Sequence, residues 1–209
     1  MPIRIVTLER EYGAGGGVIA SKVAKRLGWK LWDQLLTLEI ARRLDCDCGA
    51  VEEHEERRDP AYYRLLKAFM RGSHEGSQNA QRMKMVDTEC VREVVRQIVR
   101  ELADDGHVVI VGRGSAYYLG HRPDAYHVFV YAPFDQRVER LISTGKSRKE
   151  ATEQAETVDR DRAAFIKQYF NVDWPEIHRF HLMVNSGVGE DTAVEIILDS
   201  IQKVMQQRS

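Results

Sequence analysis

Cysteine is scarce in this chain: Cys46, Cys48 and Cys90 are the three in 209 residues. They build no paired framework, and Cys46-x-Cys48 has neither the spacing nor the following His or Cys cluster of a zinc knuckle. Reduced thiols and a cytoplasmic location are the expectation. Long apolar runs are missing; none approaches the ~18 residues needed to cross a membrane, so no membrane partner is expected. Excess charge of one sign is missing too. Lys+Arg number 31 against 32 Asp+Glu, for a formal net charge of −1. That balance argues against a nucleic-acid-coating protein and leaves room for a local anion site. Internal repeats and low-complexity tracts are absent. The opening Met1-Pro2-Ile3-Arg4-Ile5-Val6 runs straight into strand-like sequence, and no leader is expected.

What is present is a globular composition, 43% hydrophobic and 30% charged, with a mean hydropathy of −0.44. The length suits one domain, 1–209, with a real core. Ile3 to Leu8 reads as a β-branched strand, followed by a glycine-rich turn and a helix from Val18 to Leu27, with Gly28 as its C-cap. Lys30-Leu31-Trp32 is a short strand ending at Asp33, and the apolar spacing from Leu35 to Leu44 predicts a helix. The charged run Glu52 to Arg58 and the loop-like Gly72 to Ser77 mark a change of character over 45–82. Val86 to Ala103 predicts a long helix. Val108 to Val111 is a fully apolar strand, typical of a sheet covered on both faces. His127 to Tyr131 is another strand, and Pro133 opens a helix through Ile142. Ser147-Arg148-Lys149-Glu150 is a capping box that starts a helix to about Tyr169. Leu182 to Asn185 and Thr192 to Met205 supply the last strand and helix. Strands alternating with helical segments predict an α/β fold with a parallel sheet and helices on both faces. Residues 34–107 form a helical insert within it.

Glu9-Arg10-Glu11-Tyr12-Gly13-Ala14-Gly15-Gly16-Gly17 joins the first strand to the first helix. Four glycines in five residues, beside the free N–H groups of a helix start, make a phosphate cradle. The pattern G-x-x-x-x-G-K-[ST] is absent: with Gly15 as its second glycine, Arg10 stands at the first and Gly16 at the lysine. Gly15-x-Gly17-x-x-Ala20, with Asp33 after the second strand, formally fits a nicotinamide-binding Rossmann turn. The several arginines downstream favour phosphoryl transfer instead.

In sequence order, Arg10 to Gly16, Gly112-Arg113-Gly114, His127 to Pro133, Arg137 and Arg140, Val158-Asp159-Arg160-Asp161-Arg162, Asp173-Trp174 and Asn185-Ser186 resemble the cytidylate kinase-like family. That family is a branch of the P-loop nucleoside monophosphate kinases with an altered phosphate loop. The resemblance spans nearly the whole chain except 45–82. It implies a three-layer P-loop kinase-like fold with a five-stranded parallel sheet. Residues 34–107 would then be a monophosphate-binding lobe and 145–175 an arginine-bearing lid. It implies ATP as phosphoryl donor, Mg2+, and CMP or dCMP as acceptor. Arg10 and the loop residues Gly13, Ala14, Gly15, Gly16 and Gly17 would hold donor phosphates. Arg113, Asp33 and Arg140 would hold the acceptor, with Arg113, Arg160 and Arg162 as catalytic cations and Glu9 on magnesium through water. The loop has Gly16 in place of the usual lysine, Val18 where a hydroxyl would fall, and Gly17 where the branch carries an arginine. The loop charge then falls to Arg10 or Lys22, and Gly16→Lys is expected to restore a cation. A non-catalytic nucleotide- or phosphate-binding module on the same fold is the alternative. A homo-oligomer is left open.

Five arginines carry a reading from residue pattern alone: Arg160, off the apolar stripe of its helix, reaches across a cleft or is solvated, and Arg140, three after Arg137 on one helix face, is a candidate to pair with the cleft. Arg162 falls on the apolar stripe Ala151, Ala155, Val158, Phe165 and Tyr169, so it must face either a carboxylate such as Glu9 or Asp33, or a bound phosphate. Arg113, flanked by glycines past a buried strand, suits bidentate anion recognition. Arg137 is expected to face solvent.

Overall fold

The computed structural model describes residues 1–47 and 88–207. The charged run and loop read over 45–82 lie almost wholly outside the described residues. In chain order the elements are β1 (Ile5–Arg10), α1 (Gly16–Leu27), β2 (Lys30–Trp32), α2 (Gln34–Asp47), α3 (Thr88–Asp105), β3 (Val108–Val111), α4 (Ser115–Tyr118), β4 (Ala125–Tyr131), α5 (Phe134–Ser143), α6 (Arg148–Phe170), β5 (Leu182–Asn185) and α7 (Glu190–Gln207).

The five strands form one sheet in the order β2-β3-β1-β4-β5. Every neighbouring pair is parallel, with Ile5 opposite Val108 on one side and Ala125 on the other. This order overturns the Rossmann alternative. There the second strand lies beside the first, whereas here β3 separates them. All strand C-termini point to one edge, so the segments after β1, β2 and β3 meet there.

Side-chain alternation sends β1 residues to two cores. Ile5, with Ile110 and Ala125, packs under α3 and Phe165 of α6. Val6 and Leu8, with Val109, Val128 and Val130, pack under Ile19 and Val23 of α1 and Val194 and Ile197 of α7. The apolar run of β3 is buried at all four positions, as a sheet covered on both faces requires. A third cluster joins Tyr12 of the loop to Val138 and Leu141 of α5 and Ala151, Ala155 and Val158 of α6. That cluster fixes α5 and α6 against the glycine turn.

Local signals set the helix limits. Gly28 is left-handed, and its N–H closes the last turn of α1 onto Ala24 and Lys25 carbonyls. Both arms of the capping box form at Ser147 and Glu150, and α6 runs unbroken for 23 residues to a left-handed Asn171. Residues 145–175 are therefore dominated by one continuous helix. No helix among the described residues is long and apolar enough to cross a membrane.

Candidate active site

The turn after β1 is built for close backbone approach. Gly13 and Gly15 have φ of +79° and +73°, conformations that glycine adopts without strain. Gly15 is the residue from which α1 starts, and no acidic side chain occupies the first turn of that helix. The first-turn amides of Gly16, Gly17 and Val18 have no carbonyl within the helix to bond, so they are available to an anion.

The loop carbonyls, by contrast, are held from outside. Arg162 Nη1 donates to the Arg10 carbonyl at 2.7 Å. Arg137 Nη1 donates to that of Tyr12 at 3.1 Å, Arg140 Nη1 to that of Gly13 at 2.7 Å, and Ser186 Oγ to that of Ala14 at 2.7 Å. Asp159 ties these contacts together. Its Oδ1 accepts from the Tyr12 N–H at 2.8 Å and lies 3.4 Å from Arg162 Nη1, while its Oδ2 accepts from Arg137 at 2.5 Å. Two corrections follow. Arg137 is buried rather than solvent-facing, because Asp159 of α6 meets it across the loop. The direct carboxylate partner of Arg162 is Asp159, one helical turn away, rather than Glu9 or Asp33.

A cleft of about 810 Å³ opens over this turn. Arg10, Gly13, Gly15, Gly16, Gly17, Asp33, Arg140 and Arg162 of the sequence-predicted set all line it. Ala14 is buried beneath the loop, and Arg113 and Glu9 lie in the protein behind the cleft wall. Arg160 is exposed and does not line the cleft. Sequence reasoning missed Glu190, Thr144 and Leu35, which also line it. Glu190 sits at the start of α7, 3.7 Å from Arg140 and 3.6 Å from Lys22, a tertiary juxtaposition with no local signal.

Three guanidinium groups converge here. Arg10, Arg113 and Arg162 are each no more than 6% exposed. Arg113 sits in a run of three left-handed residues, Gly112, Arg113 and Gly114, which turns its side chain back under β3 to within 3.8 Å of Asp33. Burial, and then the charge of Arg10, push Arg113 down to about 10 and Arg162 down to about 9. A guanidinium keeps its proton in proteins. The downward shift comes first from burial and then from the neighbouring Arg10 charge, partly offset by nearby carboxylates, so the site favours an anion beside these cations. Glu9 is their buried counter-charge: burial raises its pKa, and Arg10, Arg162 and Arg113 pull it back.

That environment bears on the expected magnesium role of Glu9. A carboxylate facing three guanidinium groups is poorly placed to hold a dication directly, and Val18 stands where a hydroxyl would fall. The cleft carboxylates Asp33, Glu11 and Glu190 each face an arginine. Among the described residues no group of three His, Cys, Asp or Glu is arranged for a metal. Glu9 thus fits a buried counter-charge to the arginines better than a direct magnesium ligand. The first-turn amides of α1 and the side chains of Arg10, Arg140 and Arg162 border one cleft, a donor set that suits an anion such as phosphate.

Residues 5–188 match the cytidylate kinase-like family. The chain belongs to that family. The solved structure of an uncharacterized protein from Eubacterium ventriosum is similar over 97% of this chain and 99% of its own, with a TM-score of 0.69 and 20% identity. Shikimate kinase from Bacteroides thetaiotaomicron is similar over 98% and 97%, with a TM-score of 0.51 and 16% identity. Both likenesses are of fold: the five-stranded parallel α/β sheet of P-loop kinases. A uronate isomerase from Corynebacterium glutamicum is 28% identical over 131 residues, 62% of this chain. The match covers only 25% of that curated relative's length.

In this cytidylate kinase-like chain the cradle is sensitive to any side chain at Gly15. A Cβ there would sit 3.0 Å from Glu190 Oε1 and 3.4 Å from Arg140 Nε. Gly15→Val also forces a β-branched residue into the left-handed region, at a cost of about 1–3 kcal/mol. The variant is expected to melt at a lower temperature and to bind inorganic pyrophosphate at least ~10-fold more weakly, an effect of about 1.4 kcal/mol. Melting curves and titration calorimetry check both.

Proposed function

We propose that the protein transfers the γ-phosphoryl group of ATP to a nucleoside monophosphate, with CMP or dCMP the preferred acceptor. The observation that supports this reading most directly is the convergence of Arg10, Arg140 and Arg162 on the cleft over the glycine turn. Arg113 stands behind them beside the acceptor-side Asp33. The pyrimidine preference rests on membership of the cytidylate kinase-like family.

In this reading the donor phosphates lie along Gly13 to Gly17 and take the first-turn amides of α1. The bond from the γ-phosphorus to the β-bridging oxygen breaks as an acceptor phosphate oxygen attacks in line. ADP and a nucleoside diphosphate are the products. The protein contributes orientation and charge neutralisation rather than covalent chemistry. Arg162, already against the loop, meets the transferred group. Asp33 and Arg113 orient the acceptor, with Arg140 at the cleft rim. Arg160, exposed on α6 and off the cleft lining, would act only by reaching across the cleft. Magnesium would add charge neutralisation at the phosphates when it is bound with ATP. Residues 34–107 serve as the acceptor lobe and 145–175 as the lid of one domain. The ligands are small nucleotides, and the setting is the cytoplasm.

A coupled assay with ATP against all common ribo- and deoxyribonucleoside monophosphates tests the reading. Turnover with CMP or dCMP above the others is the expected result. Tight pyrophosphate or ATP binding with no acceptor consumed would support the alternative, a non-catalytic nucleotide-binding module.

A further inference from the structure

We infer that Arg10 replaces the lysine of the phosphate loop, and that positions 10 and 16 are sterically exclusive, so that one cation serves the loop from either position. The inference rests on the kinase reading above and assigns the loop's missing charge within it.

The argument begins with register. In G-x-x-x-x-G-K-[ST] the first glycine and the lysine are six positions apart, which are Arg10 and Gly16 here. Gly15 keeps the second glycine's place as the left-handed residue from which α1 starts. The side chain of Arg10 crosses directly over Gly16. A Cβ on residue 16 would lie 2.7 Å from Arg10 Cβ and 2.8 Å from Arg10 Cγ, with Leu8 Cδ2 at 3.3 Å behind. The Cβ is fixed by the backbone at the end of β1 and cannot swing away as a side-chain tip does, so rotating Cγ alone does not relieve the clash. A lysine at 16 therefore requires a residue without a Cβ at 10, and an arginine at 10 requires glycine at 16. The standard loop satisfies the first arrangement and this chain the second.

The far end of Arg10 reaches the right region. Its Nη1 lies where a Cβ on Gly112 would be only 2.1 Å away, so the guanidinium rests on the backbone just past β3. There it lies buried and faces Arg113, Arg162 and Glu9, while Arg10 as a residue borders the cleft. Gly112 is left-handed, and its lack of a side chain makes that room. The other nearby candidate, Lys22, has its ammonium held by Asp191 at 2.7 Å and Glu190 at 3.6 Å. This also corrects the expectation for Gly16→Lys alone. That change adds a side chain where Arg10 already lies, so it disrupts the loop instead of completing it.

The test compares the full chain with Arg10→Met, Arg10→Gly, Gly16→Lys and the double exchange Arg10→Gly/Gly16→Lys. Pyrophosphate and ATP affinities are read by calorimetry, nucleotide turnover by the coupled assay, and folding by thermal melting. Arg10→Met is expected to weaken pyrophosphate binding at least ~10-fold and to lower turnover by roughly 10²–10³-fold, the scale of losing one preorganised charge-stabilising donor. Gly16→Lys alone is expected to lose binding. The double exchange is expected to recover binding well above Arg10→Gly alone. Unchanged pyrophosphate affinity in a folded Arg10→Met overturns the assignment. So does a double exchange no better than Arg10→Gly, which decides the matter if Arg10→Met does not fold. If the unaltered protein binds pyrophosphate but turns over no nucleotide, the kinase reading fails, and the arginine assignment is decided on pyrophosphate alone.

Discussion

Asp159→Ala is expected to destabilise the unliganded protein by about 3–5 kcal/mol, the usual scale for stranding buried charges. Asp159 meets two guanidinium groups, Arg137 at 2.5 Å and Arg162 at 3.4 Å, and accepts from the Tyr12 N–H. Removing it leaves both cations without their shared carboxylate and frees the loop backbone at Tyr12. For a chain of this length the loss corresponds to a fall in melting temperature of roughly 10 °C. Asp159→Asn keeps an acceptor for the amide and should fall between the two. A melting curve for Asp159→Ala within about 2 °C of the unaltered protein would show that the loop is held by other contacts.

Arg162→Met is expected to separate stability from activity in the opposite way. Asp159 would keep Arg137 and the Tyr12 amide, and the Arg10 carbonyl would lose one donor, a loss of about 1 kcal/mol. Against that loss, a cation is withdrawn from beside Arg10 and Arg113, whose charges oppose it. Unliganded stability should therefore change by less than about 2 kcal/mol. Turnover should fall by about 10³-fold or more, as when an arginine that meets the transferring phosphoryl group is removed. A large loss of stability with turnover preserved would make Arg162 a structural brace for the loop and remove it from the chemistry.

Much of the frame was legible because its signals are local. The β-branched and apolar runs, the αL glycine at 28 and the capping box at Ser147 each act within a few residues, and the strands and helices formed where those signals lie. Arg113 was legible for a similar reason: glycines on both sides of an arginine past a buried strand mark a backbone that must turn sharply. The burial of Arg162 could be read from its apolar stripe. Its partner could not, because spacing alone does not separate the carboxylates at the ends of β1 and β2 from Asp159, three residues away on the same helix. Arg137 reads as solvent-facing from its own helix because α5 meets α6 through the loop, a contact that no spacing announces. Glu190 and the crossing of Arg10 over Gly16 likewise depend on where separate segments come together. The strand order, which rejects the Rossmann turn, is a property of the whole chain and has no signature in the turn itself.

The central place of β1 in the sheet also sets how differently the strands beside the cleft should exchange their amides. β1 is paired on both sides and buried at all six positions, so its amides should exchange with deuterium only through global opening. β2 is three residues long, partly exposed, and pairs with β3 alone among the described residues. Its amides should exchange through local fraying. The donor turn thus hangs from the most slowly exchanging strand, while Asp33 follows one of the fastest. Under the proposed kinase reading, a donor at the glycine turn would meet a preset surface, and an acceptor beside Asp33 would meet one that exchanges faster.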